Sequence, residues 1–250
     1  MAIQRIMITG APYSGKTTLS LKIAKYIEKN LKKTVIVVFA QDKGSPTTYA
    51  FYEMQEEGQS LGALISTPEI TEEDIKETLF IPKGTKDIGI LGYCKNESFY
   101  DHPEIIDGHS SQLKNLFMAL ERMADYIIID GTSDYENNSI TGYGIDNFDT
   151  TIYVSRADVC SLSYYRSDMP LLKGVVGRPL DAVILNDINA FSGVDVIEER
   201  MSDLDYVLPY EVQVFEQSLQ GQMIEEITAK KRRQNFGYMI NEICQNILIQ

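Results

Sequence analysis

The sequence predicts a doubly wound α/β fold, a mainly parallel sheet flanked by helices, and three observations predict it. Seven apolar, β-branched runs of strand length recur: "RIMIT", "TVIVVFA", "DIGIL", "YIIID", "TTIYVS", "DAVILN" and "DYVLP". Several are apolar without alternation, the pattern of strands buried on both faces of a parallel sheet. Amphipathic segments of helical length stand between them, and strand–helix alternation with right-handed crossovers covers such a sheet on both sides. With 250 residues, no internal repeat and no low-complexity linker, a single domain spanning 1–250 is expected.

Each element has its own local reason. After the first strand and a glycine-containing turn, "TTLSLKIAKYIEKNLKK" places Leu19, Ile23, Tyr26 and Ile27 on one helical face. Its lysines fall opposite and toward the C-terminal end, where the helix dipole favours them. The second strand leads into Gly44 to Gly84, expected to form short helices with a loop before the third strand. "SSQLKNLFMALERMA" repeats the helical pattern with Leu113, Leu116, Phe117 and Leu120, and Ser110 or Ser111 is its expected N-cap. The fourth strand ends in Asp130. "YENNSITGYGIDN", Tyr135 to Asn147, is polar and contains glycine, which predicts an exposed, mobile loop. "FDTTIYVSRADVCSLSYY" reads as strand then helix, "AVILNDIN" puts Asn186 at a strand tip, and "YVLPYEVQVFEQSLQGQMI" closes a strand at Pro209 before a helix containing Gly221.

Composition excludes several function classes. Hydrophobic residues make up 44% and charged residues 24%, enough for a sizeable core. The formal net charge of -13 argues against a broad nucleic-acid-binding face, which needs clustered Lys and Arg. The run "KKRR", Lys230 to Arg233, reads as a solvated helix face. No apolar run approaches the ~20 residues of a membrane helix. "MAIQRIMIT" is too short and too strand-like for a signal peptide, so a soluble, cytoplasmic protein is expected. Cys94, Cys160 and Cys244 are odd in number and widely spaced, and His102 and His109 are not an i, i+4 pair; neither a disulfide framework nor a His-based metal site is indicated.

The chemistry is concentrated in "GAPYSGKTT", Gly10 to Thr18. Gly10-Ala11-Pro12-Tyr13-Ser14-Gly15-Lys16-Thr17 satisfies G-x-x-x-x-G-K-[ST], with a strand before it and an amphipathic helix after it. Glycines let successive backbone N–H groups turn inward around phosphate oxygens, and the helix beginning near Lys16 adds its positive end. In such a loop the lysine neutralises the β- and γ-phosphates and the Thr17 hydroxyl ligates magnesium. Nucleoside triphosphate binding is therefore expected, with Thr18 completing the loop. Asp130, ending an apolar strand, has the form of a second magnesium-holding group acting through water; Asp134 is the weaker candidate, better read as loop-solvating. Asp42, at the end of the second strand, is placed where a carboxylate can reach the metal or an attacking water.

With these residues in place, the chain from Arg5 to about Gly221 resembles the MinD/ParA family of the signal-recognition and MinD class of P-loop NTPases. The resemblance implies ATP or ADP with Mg2+, and a nucleotide-dependent homodimer or protein partner. It implies that Asp42 helps position water and metal, and that Asn186 with Pro209 and Tyr210 holds adenine, an amide offering both donors and an acceptor. Aligned on Gly15-Lys16-Thr17, the second lysine characteristic of the family falls at Ala11, and Ala40 replaces the first of two acids often found around Asp42. Either hydrolysis is slow, another group such as Lys43 substitutes, or dimers form differently. Pilus-assembly proteins of the TadZ/CpaE kind tolerate such departures, and the sequence looks somewhat like them.

Three functional readings follow: a nucleotide-dependent switch that positions or assembles a cellular machine, a small-molecule kinase or ligase of the same class, and a nucleotide-binding scaffold with little hydrolysis. No guanine motif of the "NKxD" type is visible in "LNDIN". Phe236, Met239, Ile240, Ile243, Ile247 and Leu248 recur at helical spacing. MinD-like proteins bind membrane through such a C-terminal helix, but here the basic run precedes the stripe and Glu242 interrupts the polar face. Packing on the chain's own domain is the favoured reading.

Overall fold

A computed structural model describes residues 3–51, 60–67, 69–94, 97, 111–189, 192, 194, 197, 199–228 and 235–248. Each of the seven apolar runs forms a strand: β1 (Gln4–Gly10), β2 (Val35–Phe39), β3 (Ile88–Leu91), β4 (Tyr126–Asp130), β5 (Thr150–Arg156), β6 (Ala182–Ile188) and β7 (Tyr206–Pro209). They form one sheet in the order β3-β2-β4-β1-β5-β6-β7 with every neighbouring pair parallel. β4 lies between β1 and β2, in a register that sets Asp130 beside Ile8 on one side and Phe39 on the other.

Strand residues alternate between two cores because successive side chains leave opposite faces. Ile6, Ile8, Val37 and Ile128 join one core with α1 (Lys16–Tyr26) and the C-terminal helix, while Met7, Val38, Ile127 and Ile129 join the other. That second core is closed by α2 (Leu61–Ile65), α3 (Glu72–Thr78), α4 (Ser111–Met123), α5 (Ser139–Asn147) and α6 (Val159–Val176). Among the described residues two further helices follow β7: α7 (Val212–Gln220) and α8 (Phe236–Leu248). The expected helical faces are the buried ones, Leu19, Ile23, Tyr26 and Ile27 in one helix and Leu113, Leu116, Phe117 and Leu120 in the other. The sheet, covered on both sides, is the doubly wound architecture the apolar runs require.

Several expectations need correction or refinement. The Tyr135–Asn147 stretch is not a loop throughout: α5 occupies Ser139–Asn147, capped by Asn138, whose side chain accepts from the Thr141 N–H at 2.9 Å. The glycines that suggested mobility let this helix lie close on the sheet. A Cβ at Gly144 would come within 2.5 Å of Met7 Sδ and 2.8 Å of Ile129 Cδ1. Gly221 does not lie inside α7 but ends it, in the left-handed conformation at φ 65°. Between β2 and β3 the expected short helices are present, a 3-10 turn at Pro46–Thr48 followed by α2 and α3. α1 continues into a π-helical turn at Ile27–Leu31. Ser110, His102, His109 and the Lys230–Arg233 run lie outside the described residues.

Lys22 departs from the solvated lysine face expected of α1. Its side chain is buried, and Nζ donates to Gln217 Oε1 at 2.6 Å, Met223 O at 2.9 Å and Glu225 O at 2.7 Å. One cation thereby ties the helix after the glycine loop to the turn after α7. Burial lowers its pKa from the usual lysine range to about 8, with Glu225 opposing the shift and Lys25 adding to it. A depressed lysine pKa contributes stability that is complete above the unfolded value and is lost as pH falls through the folded one. Between about pH 8 and 10 the unfolded chain holds one more proton here, so this group makes stability rise by about 1.4 kcal/mol per pH unit. Lys22→Met should flatten the pH dependence of the urea midpoint over that window. An identical slope in the two proteins would show that the lysine stays protonated in the fold.

Candidate functional site

The site is built where β1 gives way to α1. Gly10 ends the strand at φ 142°, and a Cβ there would stand 2.0 Å from the Val154 carbonyl oxygen. Only glycine lets the chain leave the sheet this close to β5. The next residue, Ala11, is fully buried and its N–H donates to Val154 O at 3.0 Å. Tyr13 takes a left-handed φ of 55° at the crest of the loop and is 93% exposed. Gly15, at φ 94°, caps α1; a Cβ on it would lie 2.2 Å from Asn186 Nδ2. Ser14 Oγ is buried and has no hydrogen-bond partner among the described residues.

Lys16 folds back over its own loop. Its Nζ donates to Ala11 O at 2.8 Å, Gly10 O at 3.3 Å and Ser133 Oγ at 2.8 Å. Thr17, the next residue, donates through Oγ1 to Asp130 Oδ2 at 2.6 Å, and one turn on Ser20 Oγ donates to Asp130 Oδ1 at 3.2 Å. Burial pulls Lys16 down to about 8, against the charges of Asp130 and Asp168. Burial also pushes Asp130 up to about 6, against the Thr17 hydrogen bond, the Lys16 charge and the Ser20 hydrogen bond. Both shifts run toward the neutral form, because desolvation costs each charge more than its partners return.

A cavity of about 850 Å³ opens over this group. The loop residues Pro12 to Thr18 line it together with Asp130 to Ser133 from the β4 tip, Gln41, Gly44 and Tyr49 after β2, and Ser218 and Met223. The Tyr49 phenol is pushed above its ordinary pKa by burial, with Thr17 opposing the shift. A neighbouring cavity of about 170 Å³ is walled by Tyr13, Ser14 and Gly15 on one side and by Asn186, Asp187, Pro209 and Tyr210 on the other. Asn186 Nδ2 donates to Ser14 O at 2.8 Å and joins the two walls.

The structure therefore brings Lys16, Thr17 and Asp130 together, and sets Asn186, Pro209 and Tyr210 against the opposite flank of the same loop. Asp42 is not among the residues lining the large cavity; it is half-buried, and its charge adds to the burial that raises the Tyr93 phenol. Asp134 is exposed and accepts both contacts of the Asn137 amide, at 2.9 and 3.1 Å. Ser133, Ser20, Tyr49 and Met223 were not singled out by the sequence. Ser133 was legible in principle, three residues beyond Asp130; Tyr49 and Met223 carry no local signal.

The groups present fit a phosphate ester and a small hard cation. The part-buried Lys16 ammonium and the first residues of α1, Thr17 and Thr18, line the cavity that an anion would fill. Thr17 and Asp130 offer oxygen donors, the ligand type magnesium takes alongside phosphate oxygens. Among the described residues there is no cluster of three or more His, Cys, Asp or Glu side chains able to hold a metal by themselves.

No family model matches the sequence, and no curated protein matches it. Solved structures do. A ParA family ATPase from Chlorobium tepidum superposes with a TM-score of 0.75 at 12% identity, over 98% of both chains. The septum site-determining protein MinD of Pyrococcus horikoshii, complexed with Mg-ADP, gives 0.67 at 16% identity over 97% of this chain and 95% of that one. The MinC:MinD cell division complex of Aquifex aeolicus gives 0.70 at 16% identity, over 98% of this chain and 96% of that chain. A parallel seven-stranded sheet, helices on both faces, and a glycine loop feeding α1 at the sheet's carboxyl edge give this chain the P-loop NTPase fold of the ParA and MinD ATPases.

Proposed function

We propose that the chain is an ATP- and magnesium-dependent molecular switch of MinD/ParA type, one domain that dimerises or binds a protein partner according to its nucleotide. Its work would be the positioning or assembly of a cellular machine. The observation that carries the reading is one loop serving two cavities: Lys16, Thr17 and Asp130 on the phosphate side, Asn186, Pro209 and Tyr210 on the other.

The backbone N–H groups of Gly15 to Thr18, at the start of α1, would take the phosphates, and Lys16 would exchange its loop carbonyls for phosphate oxygens. Thr17 and Asp130 would hold magnesium, which when bound neutralises phosphate charge. Asn186 spends one N–H on Ser14, and its Oδ1 is an acceptor matched to the 6-amino donor of adenine. Asp42, half-buried and off the wall of the large cavity, would have to turn onto that wall to orient the attacking water. The Mg-ADP held by the MinD relative supports the ligand, and the MinC:MinD complex supports a protein partner.

One observation favours a second reading, the scaffold with little hydrolysis. Ala11, where the family's second lysine would stand, is a buried alanine with its N–H tied to β5. ATP turnover measured in parallel with light-scattering mass separates these readings. Turnover with ATP-dependent dimers supports the switch, dimers without turnover the scaffold, and turnover only with an added acceptor the kinase or ligase. Asp42→Ala should keep ATP binding while lowering hydrolysis; equal loss of both would make Asp42 a structural carboxylate.

A further inference from the structure

The tip of β6 carries an irregularity that the phosphate loop does not explain. Arg156 of β5 pairs in register with Asn186, but the β6–β7 register shifts between Leu185 and Ile188, and Asp187 takes a left-handed φ of 64°. Aspartate is among the few residues that tolerate this conformation. Consecutive side chains of a regular strand leave opposite faces. The kink abolishes that alternation, and both Asn186 and Asp187 line the smaller cavity.

A carboxylate carried by a residue of that wall has a chemical preference. It is an acceptor only, complementary to adjacent N–H donors. Guanine presents such a pair, N1–H and the 2-amino group, on one edge. Adenine has a ring-nitrogen acceptor and a C–H there, and is repelled by a negative acceptor. In this chain one oxygen of the Asp187 carboxylate is engaged and its charge is paired: Arg156 Nη2 donates to Oδ2 at 2.7 Å, and Arg156 Nε lies 3.9 Å from Asp158 Oδ2. The pair is partly exposed, with side-chain exposures of 42% and 32%, and such pairs add little to stability.

We infer that Arg156 is a positioning residue for base selectivity, occupying the Asp187 carboxylate so that the cavity accepts adenine and refuses guanine. The inference rests on the nucleotide-switch reading above. Asn186 supplies the positive recognition of adenine, and the Arg156–Asp187 pair silences a neighbouring group that would reward guanine. Specificity then comes from a removed attraction as much as from a made one.

The test is calorimetric titration of the full chain with Mg-ADP and Mg-GDP, comparing wild type with Arg156→Met, Arg156→Lys and the double variant Arg156→Met/Asp187→Asn. The readout is the ratio of the two dissociation constants, which a purely structural role would leave unchanged. Wild type should prefer ADP. Arg156→Met should shift the ratio toward GDP by roughly tenfold, the scale of one well-placed pair of base contacts. Arg156→Lys, which keeps the charge, should stay close to wild type, and Asp187→Asn should cancel the gain. If circular dichroism shows Arg156→Met unfolded, Arg156→Gln carries the same expectation with a smaller shift. An unchanged ratio in a folded variant, or a gain that survives Asp187→Asn, overturns the inference alone. A wild-type protein that binds neither nucleotide overturns the nucleotide reading and this inference with it.

Discussion

Lys16→Ala should weaken ATP–magnesium binding by roughly tenfold to a hundredfold, the equivalent of losing a charge-assisted contact of about 1.5–3 kcal/mol. Lys16 is the only lysine in the loop from Gly10 to Thr18, and its ammonium group is held among Gly10 O, Ala11 O and Ser133 Oγ. Burial pulls the group down to about 8, so an arriving phosphate would supply the opposite charge that neutral carbonyl and hydroxyl acceptors do not. The substitution removes this attraction and also leaves Asp130 without its nearest positive charge, which disfavours the ionised carboxylate that magnesium needs. The fold should suffer less than the binding, because a buried charge that costs free energy leaves with the side chain. Calorimetry and a thermal melt on the same preparation check both halves. Affinity equal to wild type in a folded variant would remove the phosphate-loop assignment.

Removing everything after Thr228 should abolish cooperative folding. Helix α8 buries Phe236, Ile240, Ile243, Cys244, Ile247 and Leu248 against α1 and the sheet. At about 1.5–3 kcal/mol for each large apolar side chain, the loss is on the order of 10 kcal/mol, an upper estimate because unfolded chains bury some surface too. That is comparable to the whole stability of a domain, roughly 5–15 kcal/mol. A graded version is Ile243→Ala, at a fully buried position, expected to cost about 2–5 kcal/mol in a urea titration. Melting temperature and liposome co-sedimentation should be read side by side. A truncated chain that melts like the full one but no longer sediments with lipid would make α8 a membrane element instead of a core helix. No helix among the described residues is long and apolar enough to cross a membrane, so spanning is not the alternative at issue.

What could be read along the chain was whatever a few neighbouring residues decide together. The seven strands were legible because a strand covered on both faces must be apolar at nearly every position, and "VIVVF" and "YIIID" meet that demand without help from context. The phosphate loop was legible for the same reason: Gly10 to Thr17 are consecutive, and their backbone requirements are local. Helix α5 was hidden because "SITGYGIDN" has the composition of a loop; Asn138 caps it, and at Gly144 the space of the missing side chain is filled by Met7 and Ile129. Lys22 read as solvent-facing because its acceptors, at Gln217, Met223 and Glu225, are about two hundred residues away in sequence.

The sequence by itself therefore determined the seven strands, most of their helical cover and the glycine loop between β1 and α1. The tertiary structure alone decided how that loop is surrounded. It set Ser133 and Tyr49 beside Lys16 and Thr17, left Asp42 off the cavity wall, and turned Asn186 and Asp187 toward one cavity through a register shift in β6. The physical reason is the range of the interactions. Strand burial and loop conformation depend on the residue and its immediate neighbours, whereas a cavity wall depends on which strand lies beside which, and that order is settled only when the whole sheet closes.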